Sequence, residues 1–163
     1  MKKTRMKIRK SIAALLLAAM TLQSPLAAAA AIADASADTA HQPMVNPGTV
    51  PVIDIATAND KGISHNLYSD FSVDKNGIIL NNSLQPINTV LAGQIAGNAR
   101  LKAPATIIIN EVTGTNRTNL NGLIEVAGTR ADVIIANPNG ISGSGFGFIN
   151  TGGSAYDGTS TAG

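Results

Sequence analysis

Short apolar runs, each closed by asparagine or glycine, recur along the chain from residue 62 to residue 141. Ile78-Ile79-Leu80 gives way to Asn81-Asn82-Ser83, and Thr106-Ile107-Ile108-Ile109 to Asn110-Glu111. Asn121-Gly122 precedes Leu123-Ile124-Glu125-Val126, and Gly128 precedes Asp132-Val133-Ile134-Ile135-Ala136. Thr89-Val90-Leu91 stands before Gly93, Phe71-Ser72-Val73 alternates, and Val50 to Ile55 reads as a possible first strand. β-branched runs of this length between turn residues predict short strands. No apolar stripe of 3.6-residue period follows residue 33. Two architectures fit: an antiparallel sandwich or barrel, and a parallel solenoid whose coils stack on one another. The apolar triplets favour strands covered on both faces. Asparagines at corners (Asn81, Asn82, Asn110, Asn137, Asn150) suit hydrogen bonding from coil to coil. The strand spacing is too irregular to decide between the two.

The most sharply defined corner is Asn137-Pro138-Asn139-Gly140-Ile141, at the end of the apolar run 133–136. Pro138 fixes its own φ and biases Asn137 to an extended form. Asn139-Gly140 supplies residues that tolerate positive φ. A buried strand is thereby expected to run into a tight turn. Asp74-Lys75-Asn76-Gly77 is a second turn of the Asn-Gly kind.

Charge separates the start of the chain from the rest. Residues 1–10 hold six basic side chains, an apolar stretch follows, and alanines fill 27–31. This order predicts a secretory signal peptide over about residues 1–33, cleaved between Ala28 and Ala35. The apolar stretch is short for a membrane span, so none is expected after cleavage. Twelve basic residues less those six leave six, against ten acidic ones, all beyond Ala33; the mature chain carries –4. No basic patch for nucleic acid remains. With no cysteine the exported chain must fold without disulfides. About 130 residues suffice for one domain, and with three Phe, two Tyr and no Trp its core must rest on Ile, Val, Leu and Ala. Residues 34–47 read as an irregular leader and 152–163 as a small, polar tail.

Chemistry is sparse. His41 lies in the leader, which gives little support for a metal ligand. Ser64 and His65 are sequence neighbours, whereas members of a catalytic triad converge from separate segments. Gly143-Ser144-Gly145-Phe146-Gly147 matches no phosphate-binding loop, and the carboxylates are scattered singly. No enzyme, metal or cofactor is expected.

The assembled string says more than its parts. Gly62 to Tyr68 (GISHNLY), Phe71-Ser-Val-Asp, Gly77 to Ser83 (GIILNNS), Leu91 to Asn98 (LAGQIAGN) and Ile109 to Gly114 (INEVTG) come in order. Leu123 to Gly128 (LIEVAG), Ala131 to Ile141 (ADVIIANPNGI) and Gly147 to Thr151 (GFINT) complete the series. Over residues 48–151 the chain resembles the two-partner-secretion domain of filamentous-haemagglutinin-type exoproteins, also called the haemagglutination activity domain. The resemblance implies an all-β fold, a right-handed parallel β-helix. It implies a Gram-negative exoprotein, secreted or held at the cell surface by way of the periplasm. Its partner would be an outer-membrane β-barrel transporter with POTRA domains, and a host-cell surface or carbohydrate is a further expected target. A solenoid that adds coils singly suits a chain that folds as it emerges.

Two family motifs are associated with secretion. Asn-Pro-Asn-Gly-Ile is intact at Asn137, Pro138, Asn139, Gly140 and Ile141. The other usually reads Asn-Pro-Asn-Leu and is degenerate here: Asn98, Ala99, Arg100, Leu101. Without the proline the fixed φ is lost, and without the second asparagine an easy left-handed position goes too. The resemblance fades after Thr151, before the further coils, adhesive repeats or toxin of family members, so a truncated exoprotein is expected. An adhesin's secretion module is the first functional reading. The alternative is the export module of a contact-dependent inhibition toxin or haemolysin. A β-helical polysaccharide lyase would need clustered acidic and basic residues on one face, and they are dispersed.

Overall fold

The computed structural model describes residues 31–158, all strand, turn and loop. Strands β1 (Ala31–Ala33) and β2 (Met44–Asn46) come first. β3 (Val52–Asp54), β4 (Ile63–Phe71), β5 (Ile78–Asn82), β6 (Ile87–Thr89) and β7 (Gly93–Ile95) follow. Then come β8 (Ile107–Val112), β9 (Thr118–Leu120), β10 (Leu123–Gly128), β11 (Ala131–Asn137), β12 (Ile141–Gly143), β13 (Gly147–Ile149) and β14 (Thr151–Gly158).

Parallel pairing decides between the two architectures. One sheet runs β1-β4-β8-β11-β14 and another β13-β10-β5-β3-β2, while β9 and β12 form a small third face. In each sheet the strands from β3 onward pair in parallel. The path β5, β8, β9, then β10, β11, β12, then β13, β14 therefore winds through the faces in turn. This is a β-helix-like stack of coils, and among the described residues no antiparallel sandwich forms. The coils differ in length because β6 and β7 form an antiparallel hairpin inserted into one of them. Thr106 bonds Gly62, 44 positions back, whereas Asn139 bonds Gly114, 25 back. That insertion is why no fixed repeat is visible in the sequence.

Alternation along each strand places the core. On β4, Ser64, Asn66, Tyr68 and Phe71 point in and are fully buried. On β8, Ile108 is buried while Ile107 and Ile109 are half-buried, so this triplet is covered on one face only. The expectation of two covered faces holds for β5, buried at all five positions. Its outer side is covered by the segment that carries the hairpin, which Glu125 anchors: its carboxylate oxygens accept the N–H groups of Val90 and Leu91 at 2.8 and 2.9 Å. The apolar stretch at 89–91 is accordingly the hairpin tip, with Val90 75 % exposed. The core is mostly aliphatic, but Tyr68 and Phe71 also pack in it with ring centroids 4.9 Å apart. Burial pushes the Tyr68 hydroxyl well above the usual tyrosine range. It stays protonated and donates to Asn110 Oδ1 at 2.9 Å.

The residues read as leader are built into the fold. β1 pairs antiparallel with β4 and β2 with β3, so this segment closes one end of the stack. Hydrogen bonds from Ser36 and Thr113 and from backbone N–H groups hold the Asp34 carboxyl below its ordinary value. The predicted signal peptide lies outside the described residues except for Ala31–Ala33, which form β1, with Ala31 buried. Of the stretch read as a polar tail (152–163), residues 152–158 belong to β14, parallel to β11 and mostly exposed. Among the described residues no helix is long and apolar enough to cross a membrane.

Candidate functional site: two asparagine-stapled turns

Asn137 ends β11 with its side chain turned inward, 1 % exposed. A buried primary amide must satisfy two donors and an acceptor. Nδ2 donates to Asn116 O and to Thr118 Oγ1, both at 2.9 Å, on the preceding coil. Oδ1 accepts from Asn139 N at 2.9 Å and Asn139 Nδ2 at 3.0 Å. Gly140 N then donates to Asn137 O at 3.0 Å and closes the turn. Asn139 Nδ2 also reaches Gly114 O at 2.8 Å. Gly140 sits at φ 100°, a region that disfavours a Cβ. Asn139 keeps a negative φ: the sole non-glycine residue at positive φ among those described is Asn150. The motif needs one left-handed position and not two. Pro138 is exposed, and Ile141 opens β12 and packs against the core.

The degenerate motif folds into the same device. Asn98 is also 1 % exposed. Its Nδ2 donates to Ile55 O at 2.9 Å and Asn81 O at 3.1 Å, and its Oδ1 accepts from Arg100 N at 3.0 Å. Leu101 N donates to Asn98 O at 3.2 Å, and the Leu101 side chain is buried. Neither a proline nor a second asparagine is required, because the first asparagine's own side chain holds the turn. Ala99 is exposed, and Arg100 Nη2 donates to Thr39 O at 3.3 Å, tying the turn to the segment at the closed end.

The other corner asparagines bond backbone more than one another. Asn82 Nδ2 reaches Ala105 O and Thr129 O, Asn150 Nδ2 reaches Val126 O and Gly128 O, and Asn110 Nδ2 reaches Ile134 O. Asn81 Nδ2 is shared between Asp54 Oδ1 and Ala96 O. Coil-to-coil bonding is present, but as side-chain amide to carbonyl and not as an asparagine ladder.

Ser64 and His65 face opposite sides of β4. Ser64 Oγ donates inward to Ala56 O at 2.7 Å, while His65 Nε2 lies 2.7 Å from Glu111 Oε2 on the outer surface. Alternation alone keeps this pair from acting together. His41 packs edge-on against His65 at 4.9 Å. Sequence reasoning gave no sign of that contact, which depends on where the N-terminal segment folds back. No cluster of three metal-ligating side chains occurs among the described residues.

The model of the TPS secretion domain family matches residues 29–161, wider at both ends than the stretch whose motifs are legible. A 16S rRNA endonuclease CdiA from Enterobacter cloacae subsp. cloacae is 49% identical over 146 residues, 88% of this chain and 4% of that protein. A tRNA nuclease CdiA of Escherichia coli O6:K15:H31 is 55% identical over 105 residues, 63% of this chain and 3% of that protein. A hemolysin of Proteus mirabilis is 47% identical over 108 residues, 66% and 7% of the two chains. The crystal structure of a filamentous hemagglutinin secretion domain superposes with a TM-score of 0.72 at 35% identity, covering 77% of this chain and 41% of that one. The chain thus spans 3% to 7% of the length of these curated relatives.

Proposed function

This chain belongs to the TPS secretion domain family, and we propose that it delivers a large exoprotein to a dedicated outer-membrane transporter bearing POTRA domains. It is a secretion domain and not a catalytic one, of a kind that Gram-negative bacteria export to the surface or the medium. The family match across the whole described fold carries the reading. The nuclease names of the relatives belong to those proteins, most of whose length lies outside the matched region. The CdiA and hemolysin relatives favour an inhibition toxin or haemolysin as parent. The filamentous hemagglutinin neighbour favours an adhesin, with a host surface or carbohydrate as its target.

In this proposal the stack is right-handed, the hand that parallel crossovers adopt. The signal peptide ends at or before residue 30, because Ala31 is buried in β1. The two stapled turns, Asn137 to Ile141 and Asn98 to Leu101, are structural in their asparagines. The transporter is met by exposed strand edges and turns, in part by β-augmentation.

The test is co-expression of the full chain with and without its cognate transporter, followed in periplasm and medium. Transporter-dependent release supports the reading. Retention in the periplasm under both conditions, with the signal peptide removed, would sink it. Substituting Asn139 separates the roles of the turn: loss of folding marks a structural element, whereas loss of secretion alone marks a recognition element.

A further inference from the structure

The asparagines of the intact motif offer little to a partner. Asn137 is buried with its amide fully engaged, and Asn139 Nδ2 is held by Gly114 and Asn137. A neighbouring side chain is differently placed. Arg117 follows Asn116 on the preceding coil, is exposed, and lies against Gly140. A methyl group on Gly140 would sit 3.1 Å from the guanidinium carbon and from Nη2, and 3.5 Å from Nε. The bare glycine therefore cradles the guanidinium as well as permitting φ 100°.

The donors of Arg117 are unspent. Among the described residues Arg100 donates to Thr39 O and Arg130 to Thr151 O, each bonded between segments, while Arg117 makes no hydrogen bond or ion pair. Asn116 Nδ2 donates to Asp70 Oδ2 at 2.9 Å, and Arg117 forms no ion pair with that carboxylate. An arginine packed against a rigid turn, with its N–H groups open, is preorganised for a planar bidentate acceptor.

We infer that Arg117 is the recognition group of this corner, and that it donates to a carboxylate on the periplasmic surface of the transporter. The stapled asparagines and Gly140 act as its platform. The inference rests on the transporter reading above and adds the residue and the chemistry of the contact. A protein carboxylate is favoured over a lipid phosphate because the exported chain must meet the transporter on its way out, whereas it need not bind lipid.

The full chain carrying Arg117→Glu, Arg117→Gln or Arg117→Lys is co-expressed with the cognate transporter, and secretion and thermal melting are measured for each. Rim charges act mainly on encounter and its salt dependence, so secretion is expected to fall roughly tenfold for Arg117→Glu and less for Arg117→Gln. Arg117→Lys keeps the charge and recovers part of it. Melting is expected to stay within about 2 °C for Arg117→Gln, an exposed substitution. If Arg117→Glu fails to fold, Arg117→Gln and Arg117→Lys decide the matter. Transporter-dependent secretion of wild type with equal secretion of all folded variants overturns the inference and leaves the transporter reading intact. Wild type that ignores the transporter overturns both. Unchanged secretion with loss of binding to phosphatidylglycerol vesicles assigns the guanidinium to lipid phosphate, which also overturns the inference.

Discussion

Replacing Asn98 with alanine tests whether a motif that has lost two of its four usual residues still holds the fold. The side chain gives three hydrogen bonds: Nδ2 to Ile55 O and to Asn81 O, and Oδ1 from Arg100 N. Ile55 and Asn81 are at most 1 % exposed, so water has poor access to their carbonyls once the amide is gone. Leaving a buried acceptor unpaired costs about 1–3 kcal/mol, and a more accessible bond about 0.5–1.5 kcal/mol. With partial relaxation the sum is about 3 kcal/mol, a large share of the roughly 5–15 kcal/mol that stabilises a domain. For a domain of this size each kcal/mol shifts the melting point by roughly 3–5 °C, so a fall of about 10 °C is expected. Urea titration and thermal melts followed by circular dichroism measure both, with an unchanged m-value if the denatured state is unaltered. A loss under about 0.5 kcal/mol, the ordinary range for surface substitutions, would refute the claim that the asparagine staples this turn.

Three further outcomes follow from the same geometry. Ala99→Pro restores the family's residue at an exposed turn position and should stabilise by about 0.5 kcal/mol through the unfolded chain, read in the same melts. Tyr68→Phe removes the bond to buried Asn110 Oδ1 and should cost about 1–2 kcal/mol, with the double substitution at 68 and 110 revealing the coupling. Glu125→Gln retains only one oxygen for the N–H groups of Val90 and Leu91. It should speed amide exchange at those two positions roughly tenfold while core exchange on β11 stays slow.

Much of the coil structure was legible because β-branched runs and turn residues are local signals. The runs at 78–80, 107–109, 123–126 and 133–136 all lie in strands. Gly77 occupies positive φ at the turn after Asp74, as Asn-Gly chemistry suggested. The closing segment was not legible: β1 and β2 are three residues each, β1 pairs with the distant β4, and the β2–β3 hairpin is too short to show an alternating pattern. β14 contains Gly152, Gly153 and Ser154, which have low strand preference; the parallel template of β11 imposes its conformation. At the site, the Asn137 corner announced itself through proline and glycine. The Asn98 corner was harder to weigh, because its strength lies in two carbonyls, Ile55 O and Asn81 O, far back in the chain. Arg117 carried no signal at all, since only stacking of the coils brings it to Gly140.

The closed turn at Asn139-Gly140 also governs chemical ageing. An asparagine before glycine deamidates when the glycine nitrogen attacks the side-chain amide carbon and ammonia departs. Here the Gly140 nitrogen is committed to Asn137 O, and the Asn139 amide is pinned by Gly114 O and Asn137 Oδ1. The folded turn holds nucleophile and electrophile in bonds that ring closure would have to break, whereas the unfolded chain has no such restraint. Isoaspartate at position 139 would therefore accumulate with time spent unfolded, and the fraction of molecules that carry it would record how long the population waited before it folded.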